Sequence, residues 1–273
     1  MASGDFAVGG GAGAALANPA ALTVSRTYEL LLFGNWSPEA GFAHYGGAIA
    51  DSLTSRMAGG LSAHVTSFDT AGLTRNVIDV RGSAAYPLGD ALSLGVAGRW
   101  LRTTDALGNG PAGGESVART DVERTRLAMD VGLLLQPAPI FRLGVVAKNL
   151  FAEPSFDLPR LYGGGVGFAF DNVSIESSAL VNLTNSDAPR WRSGTGVGWS
   201  VAERYALRFG YRYDQALATH AIGAGVSIAD RAGALEVGVR RDVAGPFPAT
   251  FIAVGFRVVM GGLGPGDGDS STF

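Results

Sequence analysis

The strongest constraint on the fold is a strict two-residue alternation, clearest in YALRFGYRYD at 205–214. Its odd positions are Tyr205, Leu207, Phe209, Tyr211 and Tyr213; its even positions are Ala206, Arg208, Gly210, Arg212 and Asp214. A β-strand turns successive side chains to opposite faces of its sheet. One face of this segment is therefore wholly apolar or aromatic, and the other holds charge and small residues. The pattern recurs elsewhere. Leu92, Leu94 and Val96 oppose Ser93, Gly95, Ala97 and Arg99, and Leu235, Val237 and Val239 oppose Glu236, Gly238 and Arg240.

Fourteen such segments can be read: 27–36, 40–51, 57–68, 74–86, 91–104, 121–136, 141–151, 160–170, 173–184, 190–201, 204–214, 218–229, 232–242 and 249–260. Gly and Ala blur the alternation in 40–51 and 57–68; without those two the count is twelve. The connections tend to alternate in length. Short ones fall at 87–90, 136–139, 171–172, 202–203 and 230–231, and longer ones at 105–120, 152–159, 185–189 and 243–248. A meander with two unlike ends is the pattern of a transmembrane barrel, short-turned on the periplasmic side and longer-looped outside.

A soluble sandwich also alternates, with its apolar face inside. Three features favour the membrane barrel. The polar faces are thick with Gly, Ala and Ser, and charged residues are only 16% of the chain. Aromatics also gather near segment ends, Tyr28, Tyr86, Phe168, Phe170, Trp199 and Tyr205 by the short turns, and Trp36, Trp100, Tyr211 and Tyr213 toward the loops. Two girdles of this kind are expected where a barrel meets both membrane interfaces. No apolar run is long enough for a spanning helix. Met1-Ala2-Ser3-Gly4-Asp5 has neither a basic nor an apolar leader region, as expected of a mature sequence with an added start Met.

Ahead of the first strand lies GGGAGAALANPAAL, 9–22, in which Pro19 can begin a helical turn capped by Asn18. This stretch, with the strand count, resembles the opening of the FadL-like outer-membrane long-chain fatty-acid transporter family and of the related barrels of the type 9 secretion apparatus. The matching motif is Asn18, Pro19 and Ala20, with Leu22 two residues on. The resemblance implies a fourteen-stranded antiparallel transmembrane β-barrel with a short plug inside it, in the bacterial outer membrane. It divides the chain into an N-terminal plug (1–26), a barrel (27–260) and a C-terminal tail (261–273). Two departures stand out. The outer loops are small for that family, and Phe273 lies off the last strand rather than closing it.

Catalytic constellations are scarce, and no enzyme is expected. The chain has no cysteine and three histidines, His44, His64 and His220. His44 and His64 are expected nearly opposite each other and inward, as hydrogen-bonded lumen residues rather than metal ligands, since no third ligand is evident. The Gly run follows no strand and carries no Lys-Ser/Thr, so it is not a phosphate loop. No metal and no cofactor is expected, and a net charge of -3 gives no reason to expect nucleic acid.

The alternation assigns Glu29, Asp79, Arg81, Arg99, Arg126, Asp130, Lys148, Glu176, Arg208, Arg212, Glu236, Arg240 and Arg257 to the lumen. Their mixed signs predict an ion-paired, largely filled interior. The inward apolar candidates are Leu31, Phe33, Leu134, Leu150 and Leu180. Gly163, Gly165 and Gly167 would leave one wall bare beside the plug, either as a lateral opening or as a floor on which Asn18–Leu22 packs. Two functions fit: passive passage of a small hydrophobic ligand through outer-membrane lipid, or an anchor holding an envelope or secreted protein partner.

Overall fold

The computed structural model describes residues 9–70, 73–107, 120–154, 158–184, 189–202, 204–230, 232–246 and 248–260. It is a closed antiparallel barrel of fourteen strands. In chain order these are β1 (Tyr28–Ser37), β2 (Phe42–Asp51), β3 (Ala58–Thr70), β4 (Leu73–Pro87), β5 (Leu92–Leu107), β6 (Thr120–Ala138), β7 (Phe141–Leu150), β8 (Leu161–Ala169), β9 (Val173–Asn182), β10 (Arg190–Ala202), β11 (Tyr205–Asp214), β12 (Thr219–Asp230), β13 (Gly233–Ala244) and β14 (Thr250–Met260). Each strand pairs with its sequence neighbour, and β1 pairs with β14 from Tyr28↔Met260 to Trp36↔Ile252, so no edge is left open. The two blurred segments, 40–51 and 57–68, are the full strands β2 and β3. The expected long loop after β5 falls mostly at 108–119, outside the described residues, as do residues 1–8 and the tail from 261.

Side-chain accessibility decides which face is wet. Along β5, Ser93, Gly95, Ala97, Arg99, Leu101, Thr103 and Asp105 are buried, while Leu92, Leu94 and Val96 are exposed. A soluble sheet would bury the opposite set. With polar groups inside and Leu32, Leu133, Val197, Phe209, Val226 and Val237 on the outer wall, the barrel is built to stand in lipid. Tyr86, Phe170, Trp199 and Tyr205 are exposed near the end where β1 begins and β14 finishes, and Trp36, Trp191 and Tyr211 near the other. Strand ends are set by Asx turns. Asp51 Oδ1 accepts from the N–H groups of Leu53 and Thr54, Asp214 Oδ1 from Ala216 and Leu217, and Asp230 Oδ1 from Ala232 and Gly233.

One irregularity matters for the site. Met129 pairs with Leu150 but Val131 pairs with Ala147, so β7 carries an extra residue at Lys148–Asn149, where Asn149 has φ 62. The extra residue reverses the alternation. Leu150 shares a face with the outward Met129, so its expected inward position is corrected here.

Candidate functional site

Residues 9–26 enter the barrel and pack on its inner wall. A 3-10 turn at Gly11–Gly13, one helical turn at Ala14–Ala17 and a 3-10 stretch at Pro19–Thr23 lie against β1–β6. Pro19 supplies the first residue of the last stretch, and Asn18 caps it. Asn18 Oδ1 accepts from Ala20 N–H at 3.1 Å, and Asn18 Nδ2 donates to the Leu133 carbonyl at 3.2 Å. Small side chains make the approach close. Ala12, Ala14, Ala15, Ala20, Ala21 and Leu22 form one buried cluster with Ala48, Ala50, Ala58, Ala85 and Leu134, and Leu31 packs against it.

Two glycines are required by this contact. A Cβ at Gly95 would strike the backbone of Pro19 and Ala20, and one at Gly132 would strike Asn18 Oδ1. Further anchors are polar: Ala12 N–H donates to Glu29 Oε1 at 3.1 Å, and Thr23 Oγ1 donates to Ser93 Oγ at 2.8 Å. The helical turn ends with its Leu16 carbonyl accepting from both Arg81 Nη1 and Lys148 Nζ, each at 3.0 Å.

Those two cations belong to a buried network above the plug. Asp79 accepts from Arg81 at 2.7 Å and Arg99 at 2.5 Å, and lies 3.4 Å from His64 Nε2. Asp130 lies 3.8 Å from each of Arg81 and Arg99, and accepts from the displaced Asn149 N–H at 2.8 Å. Asn149 also bonds Arg99 and donates to the Pro159 carbonyl at 2.7 Å, so the bulge ties the wall to the network.

A second chain of pairs runs across β1 and β11–β14. Arg208 meets Glu236 at 3.2 Å, while Arg257 lies 3.6 Å from both Glu236 and Glu29. Near the loop end Arg212 and Arg192 share Asp214, and Arg240 lies 3.6 Å from Asp242. Arg126 lies level with the inward Leu101, and Glu176 is buried, level with Gly167 and Gly196. The lumen set read from the alternation thus faces inward.

His44 and His64 are diagonal neighbours on β2 and β3, their ring centroids 4.8 Å apart. His44 Nδ1 bonds Thr66 Oγ1 at 2.8 Å, and Phe33 stacks on His44 at 5.3 Å. The described residues contain no group of three or more His, Cys, Asp or Glu placed to hold a metal ion.

The β8 glycines occupy a different place from the one expected. Gly163, Gly165 and Gly167 do face inward, but a Cβ at Gly163 would meet the Ala179 carbonyl and one at Gly165 the Ser177 carbonyl, both on β9. The plug rests instead on Gly60, Gly95 and Gly132, so the packing of Asn18–Leu22 on the β8 glycines is corrected. Both ladders of β8 run without a register break. Gly167 lies level with Arg142 on one side and Glu176 on the other, which leaves room between two long charged side chains.

The alternation also held residues that went unassigned. Arg75 and Asp105 meet at 2.6 Å, and Arg124 joins Asp105 at 3.5 Å. Arg75 and Arg124 lie within the segments 74–86 and 121–136 with the parity of Asp79 and Arg126, and Asp105 lies one residue past 91–104 with that of Arg99, so parity alone places all three inward.

Together these features define a class: a closed fourteen-stranded barrel whose own N-terminal segment sits in its lumen. No protein-family model matches the chain, and no curated protein does. Solved structures of this shape include a Pseudomonas aeruginosa FadL homologue, 14% identical over 94% of this chain and 95% of that one, TM-score 0.69. The Ralstonia pickettii toluene transporter TbuX is 14% identical over 94% and 96%, TM-score 0.70. The P. putida toluene transporter TodX is 13% identical over 91% and 92%, TM-score 0.61. At these identities the likeness is one of fold.

Proposed function

We propose that this chain is an outer-membrane barrel for passive passage of small hydrophobic molecules. The observation that carries the reading is a strip of rings on the inner wall, starting at the loop end. Phe42 contacts Phe68 at 5.2 Å and Phe251 at 5.6 Å, and below them Phe33, His44 and His64 continue toward the ion network. A lumen that served water alone would have little use for such a strip, because apolar surface there is unfavourable unless something covers it. The shared fold with two toluene transporters supports the same reading.

In this reading residues 9–26 are the barrier between the strip and the periplasm, with Asn18, Pro19, Ala20 and Leu22 as its seat. The ion pairs of Asp79, Arg81, Arg99 and Asp130 hold the wall to which it is fastened. Gly163, Gly165 and Gly167 serve as bare lumen wall. A sideways exit to the bilayer is better placed at the broken β6–β7 ladder, beside the plug. The test is uptake of a radiolabelled monoaromatic hydrocarbon by cells expressing the barrel or its Phe42→Ser/Phe251→Ser variant. Uptake above the empty-vector level, lowered several-fold in the folded variant, is expected; no uptake by the folded wild type would overturn the reading.

One observation favours a second reading. The connections at 38–41 and 215–218 are tight turns, closed by Ser37 and Asp214, and offer little loop structure to capture a ligand. An anchor for an envelope or secreted protein predicts no uptake and a stable partner in native-membrane pull-downs.

A further inference from the structure

The inner wall is covered unevenly. On β4–β6 the inward residues, from Asp79 and Arg81 to Ser93, Ala97 and Asp130, are buried by the plug and by one another. On β10–β14, away from the plug's main contacts, Gly194, Ala206, Ala221 and Ser227 are buried, but the inward Gly196, Gly210, Gly223 and Gly238 remain half-exposed.

Ion pairs on this open side are lopsided. Arg192 and Arg212 rest on Asp214, Arg240 on Asp242, and Arg208 and Arg257 on Glu236, with Glu29 also against Arg257. The five guanidinium side chains are 21–50% exposed, whereas the four carboxylates behind them are only 4–12% exposed. Each carboxylate neutralises its partner from the wall side, so water in the lumen meets the cations first. In a narrow passage with low-dielectric walls such an arrangement concentrates counter-ions of the opposite sign.

The cations are also spaced in depth. Arg192, Arg212 and Arg240 stand toward the loop end, and Arg208 and Arg257 toward the end where β1 begins and β14 finishes. Arg208 and Arg212 are four residues apart on β11, about 13 Å at a strand's rise per residue. An anion released by one guanidinium is thus within a short step of the next.

We propose that the open side of the lumen is a permeation path for small anions, with these guanidiniums as its successive contacts. The path borders the ring strip at Arg240, whose guanidinium lies 3.7 Å from the centre of the Phe251 ring, but it does not depend on hydrophobic transport. The test is the reversal potential of single channels of the full chain in planar bilayers under a tenfold KCl gradient. The wild type should conduct with a reversal potential on the chloride side. In Arg212→Gln/Arg240→Gln, which uncovers Asp242 and leaves Asp214 with Arg192 alone, the chloride-to-potassium permeability ratio should fall several-fold, to about one or below. A non-conducting or potassium-selective wild type overturns the proposal, as does an unchanged ratio in a variant that still shows the heat-dependent gel shift of a folded barrel. Should the double variant fail to fold, Arg208→Gln carries the same prediction and the same contrary result.

Discussion

Asp79 shows how this chain uses a charge. It is nearly inaccessible and faces Arg81, Arg99 and His64 at once, so its removal would leave two guanidiniums buried with Asp130 alone, at 3.8 Å, to compensate. Breaking a buried pair by deleting one partner costs about 3–5 kcal/mol. Asp79→Ala should therefore lower stability by about that amount in urea unfolding from lipid vesicles; a loss below about 1 kcal/mol would contradict the network's role. The Glu39–Arg241 pair is the opposite case. Both side chains are about half-exposed, water screens them, and Glu39→Gln should cost at most about 1 kcal/mol. At this scale Asn18, Pro19 and most lumen charges were legible, because a cap is a local signal and strand parity is a simple one. Asn149 and Leu150 were not. A single extra residue in β7 reverses the alternation, and nothing in KNLF announces it.

Among the elements, the strands were legible where large apolar residues faced out and charge faced in. β2 and β3 were faint because the plug demands small residues on their inner faces. Ala48, Ala50, Ala58 and Gly60 are there to receive Ala14, Ala15 and Leu22, so the contrast that marks a strand is lost where the partner is an internal segment. The ends of β5 and β6 were also under-read. β5 runs past the expected 104 through Asp105, Ala106 and Leu107, and β6 runs past 136 through Pro137 and Ala138, where no contrast between faces marks a strand. The outer wall gives a prediction of its own. Phe209 lies midway along β11 and faces outward, more than half-exposed. Phe209→Arg should destabilise the barrel by about 2–4 kcal/mol in vesicle refolding titrations, as a cation at the bilayer midplane does. An effect near zero would mean that this face does not meet hydrocarbon.

For the whole molecule, the alternation alone could not say which face is wet, since a sandwich and a membrane barrel share it. Closure of β1 on β14 and the exposure of the apolar set settle that point. Equally hidden was the division of the lumen. Mixed charges along the strands predicted a filled interior, and burial is most complete where the plug and the Asp79 network meet β3–β7. On β10–β14 several inward glycines and arginines stay half-exposed. Which strands the N-terminal segment would choose depends on Gly95 and Gly132 sitting at one depth on neighbouring strands, a fact of register rather than of sequence order. The central claim is that this segment blocks part of a lumen that would otherwise be open. Single-channel conductance of the full chain and of a variant lacking residues 9–24 tests it most directly. Deletion should raise conductance several-fold while the barrel keeps its heat-dependent gel shift; equal conductance in a folded deletion variant would contradict the account.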